Sequence, residues 1–513
     1  MINWAHALNI NSFPDKPEKL WVEQTHISYV FIDRFVYKIK KPVNFGFLDY
    51  TTLEKRKFFC EKEIELNSRL CPDIYLGVVP ISETKYGYKV ENSENPVEYA
   101  VKMKRLPEEG MMQNILNQNA LTKKHIDLIV DILVSFYKSA KTGTGVNEYG
   151  SIDTVSFNTE ENFAQTEKFV GKTLNKWRYN AIINWTRTFI KKNASVFHSR
   201  IKEGYIREGH GDLYSANICF DNLKKVYIFD CVEFNERFRC GDVAGDIAFL
   251  SMDLDFHGYW ELSKYFIESY IERSGDRGLI KVLNFYKCYR AYVRGKIACF
   301  TSEDSSLTDK TRQKELEQAQ RYFDLACIYS GFKPRIFVVF GFSGTGKSTI
   351  ARELKNHTLS NLIASDIVRK NLAGLPPEEH KYEPFEQGIY TQDFTDKTYK
   401  KMIDLAKEES KKGRDVILDA TFLKKHHREL VMTELCLADI YWIWSTAEDS
   451  VIKERFKKRA LDPDISDARW EIYLAQKKRF EEPIEISSEK LIKIDTTKKI
   501  ETLIETITTR VYK

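Results

Sequence analysis

The sequence lacks the signatures of several protein classes. Its 513 residues include nine cysteines, but no two are spaced as C-x-x-C and none stands near histidine at the spacing of a zinc site. This argues against a disulfide framework and a structural metal. No apolar run approaches the about 18 residues of a transmembrane candidate. The first ten residues, MINWAHALNI, lack a basic segment followed by an apolar one. We therefore expect a soluble, cytoplasmic protein without a membrane partner.

The sequence also lacks a strong charge imbalance. It has 79 Lys and Arg residues against 74 Asp and Glu residues, a net charge of +5. This charge is small for the length, so it leaves a nucleic-acid partner possible without indicating one. Hydrophobic residues make up 42% and charged residues 30%, which excludes extensive disorder. At about 150 residues per domain, the length predicts about three domains.

Residues 210–230 place a carboxylate and an amide five positions apart in a loop, followed by a strand that ends in a second carboxylate. These residues are Asp212, Asn217 and Asp230, with His210 just before them. Phosphoryl transfer from ATP needs one carboxylate to accept the acceptor's proton, and an Asn and an Asp to hold Mg²⁺. We therefore predict Asp212 as the base and Asn217 and Asp230 as metal ligands. The alternative is that Asp212 and Asn217 cap turns.

This pattern, H-G-D-x-x-x-x-N, resembles that of the aminoglycoside phosphotransferase family of small-molecule kinases. The resemblance implies a bilobal protein-kinase-like fold, with an N-lobe at residues 1–110 and a helical C-lobe at 111–325. A later element, G-D-x-x-x-D-I-A, also matches this family at Asp242 and Asp246, and the resemblance implies that this element supports the catalytic loop. We expect Asp246 to have a structural role as a helix N-cap.

Two β-runs near the N-terminus contain the expected phosphate-binding lysine. Lys38 and Lys40 share one strand face, because side chains alternate along a strand. We favour Lys38, since V-Y-K is similar to the V-A-I-K of kinases. Its partner carboxylate is expected on the following helix, residues 52–70, where Glu63 is preferred over Glu61.

Other polar residues near this site have open roles. The first turn contains no glycine, although protein kinases carry G-x-G-x-x-G there. Thr25 and Ser28 are therefore candidate hydrogen-bond donors to the phosphates of ATP. Carboxylates at Glu233, Asp253 and Asp255 would complement a cationic acceptor, or are surface groups without a ligand. The sequence leaves the acceptor unidentified.

A second motif follows a short apolar strand. Residues 335–349 read RIFVVFGFSGTGKST and fit G-x-x-x-x-G-K-[ST] at every fixed position. In this motif backbone N–H groups surround the phosphates, Lys347 reaches the β- and γ-phosphates, and Ser348 binds Mg²⁺. The predicted nucleotide-binding residues are Gly341, Phe342, Ser343, Gly344, Thr345, Gly346, Lys347, Ser348 and Thr349.

Alternating strand and helix signals around this motif predict a three-layer α/β/α P-loop NTPase domain with a parallel sheet. We place this domain at residues 335–513, after a linker at 326–334. A helical pattern ends at Gly413, and the next strand ends at Asp419. Asp419 is therefore the predicted second Mg²⁺ ligand of this site.

The element S-D-I-V-R resembles one in polynucleotide-kinase-like and zeta-toxin-like P-loop kinases. The resemblance implies that Asp366 is the acceptor's base and that Arg369 orients it, against the alternative of an N-cap and a surface arginine. Arg455 and Arg459 lie four positions apart on one helical face. They look like a basic lid over the phosphates, or else they belong to a solvated helix.

The chain as a whole predicts a multidomain α/β phosphotransferase with ATP and Mg²⁺ as cofactors. Its module order is similar to that of bacterial bifunctional aminoglycoside phosphotransferase/ATP-binding proteins. The expected acceptors are a small-molecule hydroxyl at the first site and a small-molecule, nucleotide or nucleic-acid hydroxyl at the second. Two alternatives remain: a P-loop module acting as a nucleotide-dependent switch, or a nucleic-acid end-modifying kinase. We expect His426 and His427 to be a loop feature and not a metal site. The oligomeric state is left open.

Overall fold

A computed structural model describes residues 2–24, 27–222, 224–305, 307–376, 388–459 and 470–512. Its contacts divide the chain into two compact units. Unit 1 comprises Met1–Glu161 and Thr186–Ala291, and unit 2 comprises Asn162–Trp185 and Tyr292–Lys513. None of the described helices combines the length and apolarity that a membrane crossing requires.

In the described residues, strands and helices occur mostly in runs of one type up to residue 329, and from residue 335 each strand is followed by one or two α-helices. The strands are β1 (Leu20–Gln24), β2 (Ile27–Ile32), β3 (Phe35–Lys40), β4 (Tyr75–Thr84), β5 (Gly87–Val90), β6 (Pro96–Lys104), β7 (Ile206–Glu208), β8 (Ile218–Asp221), β9 (Lys225–Ile228), β10 (Cys240–Asp242), β11 (Arg335–Phe340), β12 (Asn361–Ala364), β13 (Val416–Asp419), β14 (Asp439–Thr446) and β15 (Leu491–Asp495). The helices are α1 (Trp4–Ala7), α2 (Leu53–Asn67), α3 (Met112–Asn117), α4 (Lys123–Ser139), α5 (Ile152–Thr166), α6 (Lys176–Lys192), α7 (Ala194–Lys202), α8 (Glu236–Arg239), α9 (Val243–Phe256), α10 (Trp260–Ser274), α11 (Leu279–Ser302), α12 (Asp309–Tyr329), α13 (Lys347–Thr358), α14 (Ser365–Leu372), α15 (Gln392–Lys411), α16 (Lys425–Glu434), α17 (Asp449–Arg459), α18 (Trp470–Arg479) and α19 (Ile500–Val511).

The division into units differs from the predicted domain limits at residues 325 and 335. Helix α12 and the start of α6 pack with the P-loop part of the chain, because buried Arg178 on α6 forms ion pairs with Asp324 and Asp415. Asp415 immediately precedes β13. The helices that the sequence assigned to the first domain therefore contribute in part to unit 2.

Unit 1 contains an antiparallel sheet in the order β1-β2-β3-β6-β4-β5. Strand β3 lies inside this sheet, and its side chains alternate between two different environments. Tyr37 and Ile39 join an apolar cluster that includes Trp4 of α1. Lys38 and Lys40 are also buried, on the opposite face, where α2 contacts β4 and β6. The sheet thus has one apolar face and one face that carries charge.

Helix α2 meets this charged face with a polar stripe. Its buried residues Arg56, Cys60, Glu63 and Asn67 recur at the spacing of one helical face. Arg56 donates from Nε to both carboxylate oxygens of Glu98 on β6, at 2.8 Å each. Ion pairs therefore fix the helix against the sheet.

Helix α9 lies in the core of unit 1, in the part of the chain that follows the antiparallel sheet. Its residues Val243–Asp255 are all buried, and it begins at Asp242, whose side chain accepts a hydrogen bond from the Ala244 N–H. Asp242 also pairs with buried Arg200, which binds Asp276 as well. One guanidinium is therefore the shared partner of two buried carboxylates, Asp242 and Asp276.

Unit 2 is built on an all-parallel sheet in the order β12-β13-β11-β14-β15. On central β11, Ile336, Val338 and Phe340 pack in a cluster with α15 and α16. Phe337 and Val339 point to the other face and pack with α13 and α19. The predictions of a multidomain α/β chain and of a parallel sheet are confirmed.

Replacing Arg200 tests the support of α9. Arg200→Met leaves Asp242 and Asp276 buried without their cation, so we expect unfolding of unit 1 to become easier by about 3–5 kcal/mol. Arg187→Met is the matched control, because its ion pair with Glu160 is exposed and we expect less than about 1 kcal/mol. Hydrogen–deuterium exchange of the α9 amides in both variants checks this. Equal exchange rates in the two variants would contradict the assigned role.

Candidate active sites

Lys38 connects the sheet of unit 1 to two carboxylates. Its Nζ lies 2.8 Å from Oε1 of Glu63 on α2 and also forms an ion pair with Asp230. Burial alone would lower the pKa of Lys38, but Asp230 and Glu63 outweigh burial and hold the pKa well above its ordinary value. Lys38 is therefore positively charged and fixed in orientation.

Lys40 forms a second, deeper set of contacts on the same strand face. Its Nζ lies 2.7 Å from Oε2 of Glu63 and pairs with Glu233, whose Oε1 accepts from Tyr50 Oη at 2.5 Å. Burial alone would raise the pKa of Glu233, but Lys40 and Lys38 outweigh it and keep the pKa below its ordinary value. The Glu63 carboxylate is thus shared by two lysines.

The loop at residues 210–217 is joined to the segment after β9 by backbone hydrogen bonds. The Phe229 N–H donates to Asn217 O at 3.0 Å, and the Val232 N–H donates to His210 O at 3.0 Å. Within the loop, Asn217 Nδ2 donates to Asp212 Oδ2 at 3.1 Å. The structure therefore joins Asp212 to Asn217 directly, and it joins their loop to the segment that carries Asp230.

Asp246 binds the backbone of this loop. Its Oδ2 accepts from the His210 N–H at 2.7 Å, and its Oδ1 accepts from the Gly211 N–H at 3.0 Å. Tyr137 Oη also donates to Asp246, at 2.9 Å. The predicted N-cap role of Asp246 is wrong, because Asp242 caps α9 and Asp246 binds the loop backbone instead.

The three carboxylates considered for a cationic acceptor all have internal partners. Glu233 pairs with Lys40, Asp253 accepts from the Ser215 N–H at 2.9 Å, and Asp255 pairs with Lys287 at 2.6 Å. Each of these carboxylates is buried. They position the loop and the core, so neither interpretation made from the sequence describes them.

Ser28 and Thr25 were candidates to bind phosphate in place of a glycine-rich loop, and the structure does not support this role for Ser28. Ser28 is paired with Ile39 across the sheet, so its side chain lies on the apolar face, away from Lys38. Thr25 lies outside the described residues. The residue paired with Lys38 is Tyr29, and Lys38 Nζ lies 5.7 Å from the centroid of its ring.

The glycine-rich loop of unit 2 connects β11 to α13. Gly341, Gly344 and Gly346 all have positive φ angles, of 137°, 83° and 86°. A Cβ on Gly341 would stand 2.5 Å from Ser445 O, so only glycine fits there. Among the described residues, no side chain caps α13, so the amide groups of its first turn remain suited to an anion. This loop fits the phosphates of a nucleotide.

Ser348 and Asp419 meet beside this loop. Asp419 ends β13 and is paired with Val339 of β11, and Ser348, the second residue of α13, lies close enough to act on the pKa of the Asp419 carboxylate. Burial raises the pKa of Asp419, although nearby Lys347 opposes the rise. A hydroxyl and a carboxylate side by side suit Mg²⁺, which prefers oxygen ligands.

The S-D-I-V-R element lies at the start of α14. Asp366 is in its first turn and half-buried. Arg369 is buried, and its guanidinium donates to Ile389 O at 2.7 Å and to Thr395 Oγ1 at 3.1 Å. Arg369 is therefore not the surface arginine of the alternative interpretation.

Helices α17 and α18 contact the backbone of the glycine-rich loop. Arg455 donates to Gly344 O at 3.2 Å, and the Ser343 N–H donates to Gln476 Oε1 at 2.8 Å. Arg455 also donates to Thr496 O at 2.7 Å. The side chain of Arg459 lies outside the described part of the chain. Gln476 is a loop contact that the sequence motif did not indicate.

The histidine pair is not in a loop. His426 and His427 lie in the first turn of α16, with ring centroids 3.9 Å apart, and Asp396 of α15 lies next to both. The two neighbouring histidines therefore share Asp396 as a partner.

The comparison with known proteins agrees with the position of the glycine-rich loop. Residues 336–483 match the family described as AAA domain. The uncharacterized protein Rv2004c of Mycobacterium tuberculosis (strain ATCC 25618 / H37Rv) is 30% identical over 421 residues, which cover 82% of this chain and 80% of that protein. This chain belongs to the same family. An alignment of this length exceeds unit 2, so the family relationship includes part of unit 1.

Solved structures give only a distant likeness. A sugar kinase from Janibacter sp. HTCC2649 has a TM-score of 0.27 at 20% identity and covers 35% of this chain and 94% of its own. An ethanolamine kinase from Plasmodium vivax has a TM-score of 0.31 at 13% identity and covers 59% of this chain and 81% of its own. These scores are too low for an argument. The AAA match and the glycine-rich loop identify a P-loop nucleotide-binding domain in unit 2.

Replacing Glu233 tests the charged network of unit 1. Glu233→Gln leaves buried Lys40 with Glu63 as its only carboxylate, which it shares with Lys38, so we expect a loss of about 3 kcal/mol at neutral pH. The folded pKa of Glu233 is lowered, so its stabilisation is complete above the unfolded pKa of about 4.3 and is lost as the pH falls. The difference from wild type should therefore shrink below about pH 4.3. Differential scanning calorimetry over this pH range checks it.

The control for this change is Glu61→Gln. Glu61 lies on the same helix as Glu63, and its ion pair with Lys57 is exposed. We expect this variant to follow wild type at each pH, within about 0.5 kcal/mol. A constant difference between Glu233→Gln and wild type at all pH values would contradict a titrating ion pair.

Proposed function

We propose that this chain is an ATP- and Mg²⁺-dependent phosphotransferase with two nucleotide sites, one in each unit. Each site would transfer the γ-phosphate of ATP to a hydroxyl group. The observation that carries the proposal is the pair of contacts that Lys38 makes with Glu63 and Asp230. A fixed lysine beside a metal-binding carboxylate is the arrangement by which kinases hold ATP.

In unit 1, each residue has a separate role in a bilobal kinase-like site. Lys38 orients the α- and β-phosphates, and Glu63 holds Lys38 in place. Asn217 and Asp230 are the metal ligands, and Mg²⁺ bound there neutralises the phosphate charge. Asp212 accepts the proton of the acceptor hydroxyl, and its bond to Asn217 Nδ2 orients its carboxylate.

The backbone at Asp230 supports this assignment. Its φ is +63°, which costs a non-glycine residue about 1–2 kcal/mol. The Asp230 N–H donates to Tyr75 Oη at 3.1 Å, which helps to hold this conformation. Strained residues are concentrated at functional sites because their conformation aims a side chain. The Asp230 side chain is 34% exposed, so a metal ion can reach it.

In unit 2, the backbone amides of the glycine-rich loop bind the phosphates and Lys347 adds positive charge. Ser348 and Asp419 hold the metal. Asp366 accepts the proton of the second acceptor. Arg369 is a positioning residue in this proposal, because its bonds to Ile389 and Thr395 hold α14, the helix that carries Asp366.

The acceptor of unit 1 is a hydroxyl-bearing small molecule in this proposal, and that of unit 2 is a small-molecule or nucleotide hydroxyl. The carboxylates that would have attracted a cation in unit 1 are already paired. Positive charge on the acceptor is therefore no requirement of the first site.

A second candidate function for unit 2 is a nucleotide-dependent switch. Arg455 of α17 and Gln476 of α18 bind the backbone of the glycine-rich loop. A nucleotide that takes over the Ser343 N–H would release Gln476 and so change the contacts of α18. Catalysis would then belong to unit 1 alone.

Two single variants separate these possibilities. Asp212→Asn removes the first base, and Lys347→Ala removes the charge of the second site. We expect each variant to lower one phosphotransfer activity by about 10²–10⁴-fold and to spare the other. The measurement uses γ-phosphate-labelled ATP with sugars, amino alcohols, nucleosides, RNA ends and protein as acceptors.

The controls are Asp221→Asn, an exposed carboxylate at the end of β8, and Lys355→Ala, an exposed lysine of α13. Both should keep the two activities. Loss of both activities in either folded site variant would indicate one coupled reaction. If Lys347→Ala loses nucleotide binding but every product still forms, unit 2 acts as the switch. Absence of any labelled product with wild type contradicts the proposed function.

A further inference from the structure

Two imidazoles and a carboxylate converge at the start of α16, and none of the three has a role in the proposed catalysis. His427 Nε2 lies 2.7 Å from Asp396 Oδ1, and His426 Nε2 lies 4.0 Å from the same oxygen. One ligand atom from each of the three residues lies within 4.8 Å of the others. The side chains come from two helices, α15 and α16.

The dimensions of this cluster suit a small metal ion. Zinc binds nitrogen at about 2.0–2.1 Å, so tetrahedral ligand atoms stand about 3.3 Å apart. The two distances to Asp396 Oδ1 lie on either side of this value. Side-chain rotations that move these ligand atoms by less than about 1 Å would make the two distances equal. A bound ion would replace the hydrogen that now joins His427 to Asp396.

Burial gives the cluster one fixed ligand and two adaptable ones. His427 is 4% exposed, and its ring lies edge-on to Tyr399, with the centroids 4.5 Å apart. His426 and Asp396 are exposed. A buried imidazole with two exposed partners lets an ion enter from solvent, and the fourth position remains for water.

We propose that His426, His427 and Asp396 form a binding site for a divalent ion of the zinc type. Two nitrogen ligands and one oxygen suit Zn²⁺, Co²⁺ or Ni²⁺, whereas Mg²⁺ prefers oxygen ligands alone. The site is therefore chemically distinct from the Mg²⁺ position proposed at Ser348 and Asp419. An ion bound there joins the N-terminal part of α15 to the first turn of α16.

The location makes such an ion relevant to the nucleotide site. Tyr399 packs on His427, and its hydroxyl contacts Thr421 Oγ1 at 3.1 Å and accepts from the Phe422 N–H at 3.2 Å. The Gly341 N–H in turn donates to Thr421 O at 3.4 Å. The ion would thus brace the segment that follows Asp419 and reaches the first glycine of the loop.

Titration of the full chain with Co²⁺ or Zn²⁺ tests the site. The protein is first treated with a chelator and kept free of nucleotide, and binding is followed by calorimetry and by the visible absorption of Co²⁺. We expect one saturable site in wild type. His426→Gln, His427→Gln and Asp396→Asn should each lower the affinity for Co²⁺ by more than about tenfold. Losing a residue that only supports a metal ligand already lowers metal affinity by about that factor, so losing a ligand should cost more.

Matched controls distinguish this site from other histidine and carboxylate side chains that could bind the ion. Asp393→Asn changes an exposed carboxylate of the same helix turn, and His198→Gln changes an exposed histidine of α7. Both variants, and Asp419→Asn in unit 2, should bind Co²⁺ as wild type does. His426→Gln and Asp396→Asn change exposed side chains, so they keep the test valid if His427→Gln fails to fold. Absence of saturable binding, or equal binding by His426→Gln and wild type, overturns the proposal.

Discussion

The Glu63 carboxylate is the constraint on which the first site depends. Its two oxygens are occupied by two different lysines, Lys38 at 2.8 Å and Lys40 at 2.7 Å, and all three side chains are buried. Charged groups in the interior are tolerated only when they are paired, because burial removes their hydration. None of the three can therefore move alone. This network fixes the direction of Lys38 without help from bound ligand.

The network exists because one strand carries two kinds of side chain. On β3, Tyr37 and Ile39 supply apolar contacts to one face, while Lys38 and Lys40 supply charge to the other. The apolar face keeps the strand in the sheet and so holds both lysines in register. The polar stripe of α2 then places Glu63 opposite them. Folding and site assembly thus use opposite faces of one strand.

Local patterns in the sequence predicted local structure well. The glycine-rich loop follows from eight consecutive residues, because backbone conformation there depends on which positions are glycine, and the strand before it follows from the apolar run at 335–340. Strand alternation likewise put Lys38 and Lys40 on one face. The roles of these residues toward a nucleotide stay predictions. Local information sufficed wherever the relevant contacts lie close in sequence.

Partners distant in sequence were not predictable in the same way. Glu233 pairs with Lys40 across 193 positions, and Asp246 binds the His210 N–H across 36. A carboxylate in the sequence shows its charge but not its partner, so Glu233 was predicted as an acceptor contact. For Asp246, its place near a helix start predicted a cap, and only the family resemblance pointed to the loop that it binds. The same holds for Asp396, whose approach to His427 depends on how two helices pack.

The exposure of the partners distinguishes the two lysines of β3. Lys40 is held by Glu63 and Glu233, whose side chains are 0% and 5% exposed, so both of its partners are inaccessible to a ligand. Lys38 shares Glu63 but has Asp230, at 34% exposure, as its other partner. A metal ion that takes Asp230 leaves Lys38 paired with Glu63 and frees one direction of its ammonium group for a phosphate. Lys40 has no such exchangeable partner among its described contacts. This asymmetry supports Lys38 as the phosphate-binding lysine of the proposed mechanism and Lys40 as the group that keeps Glu63 in position.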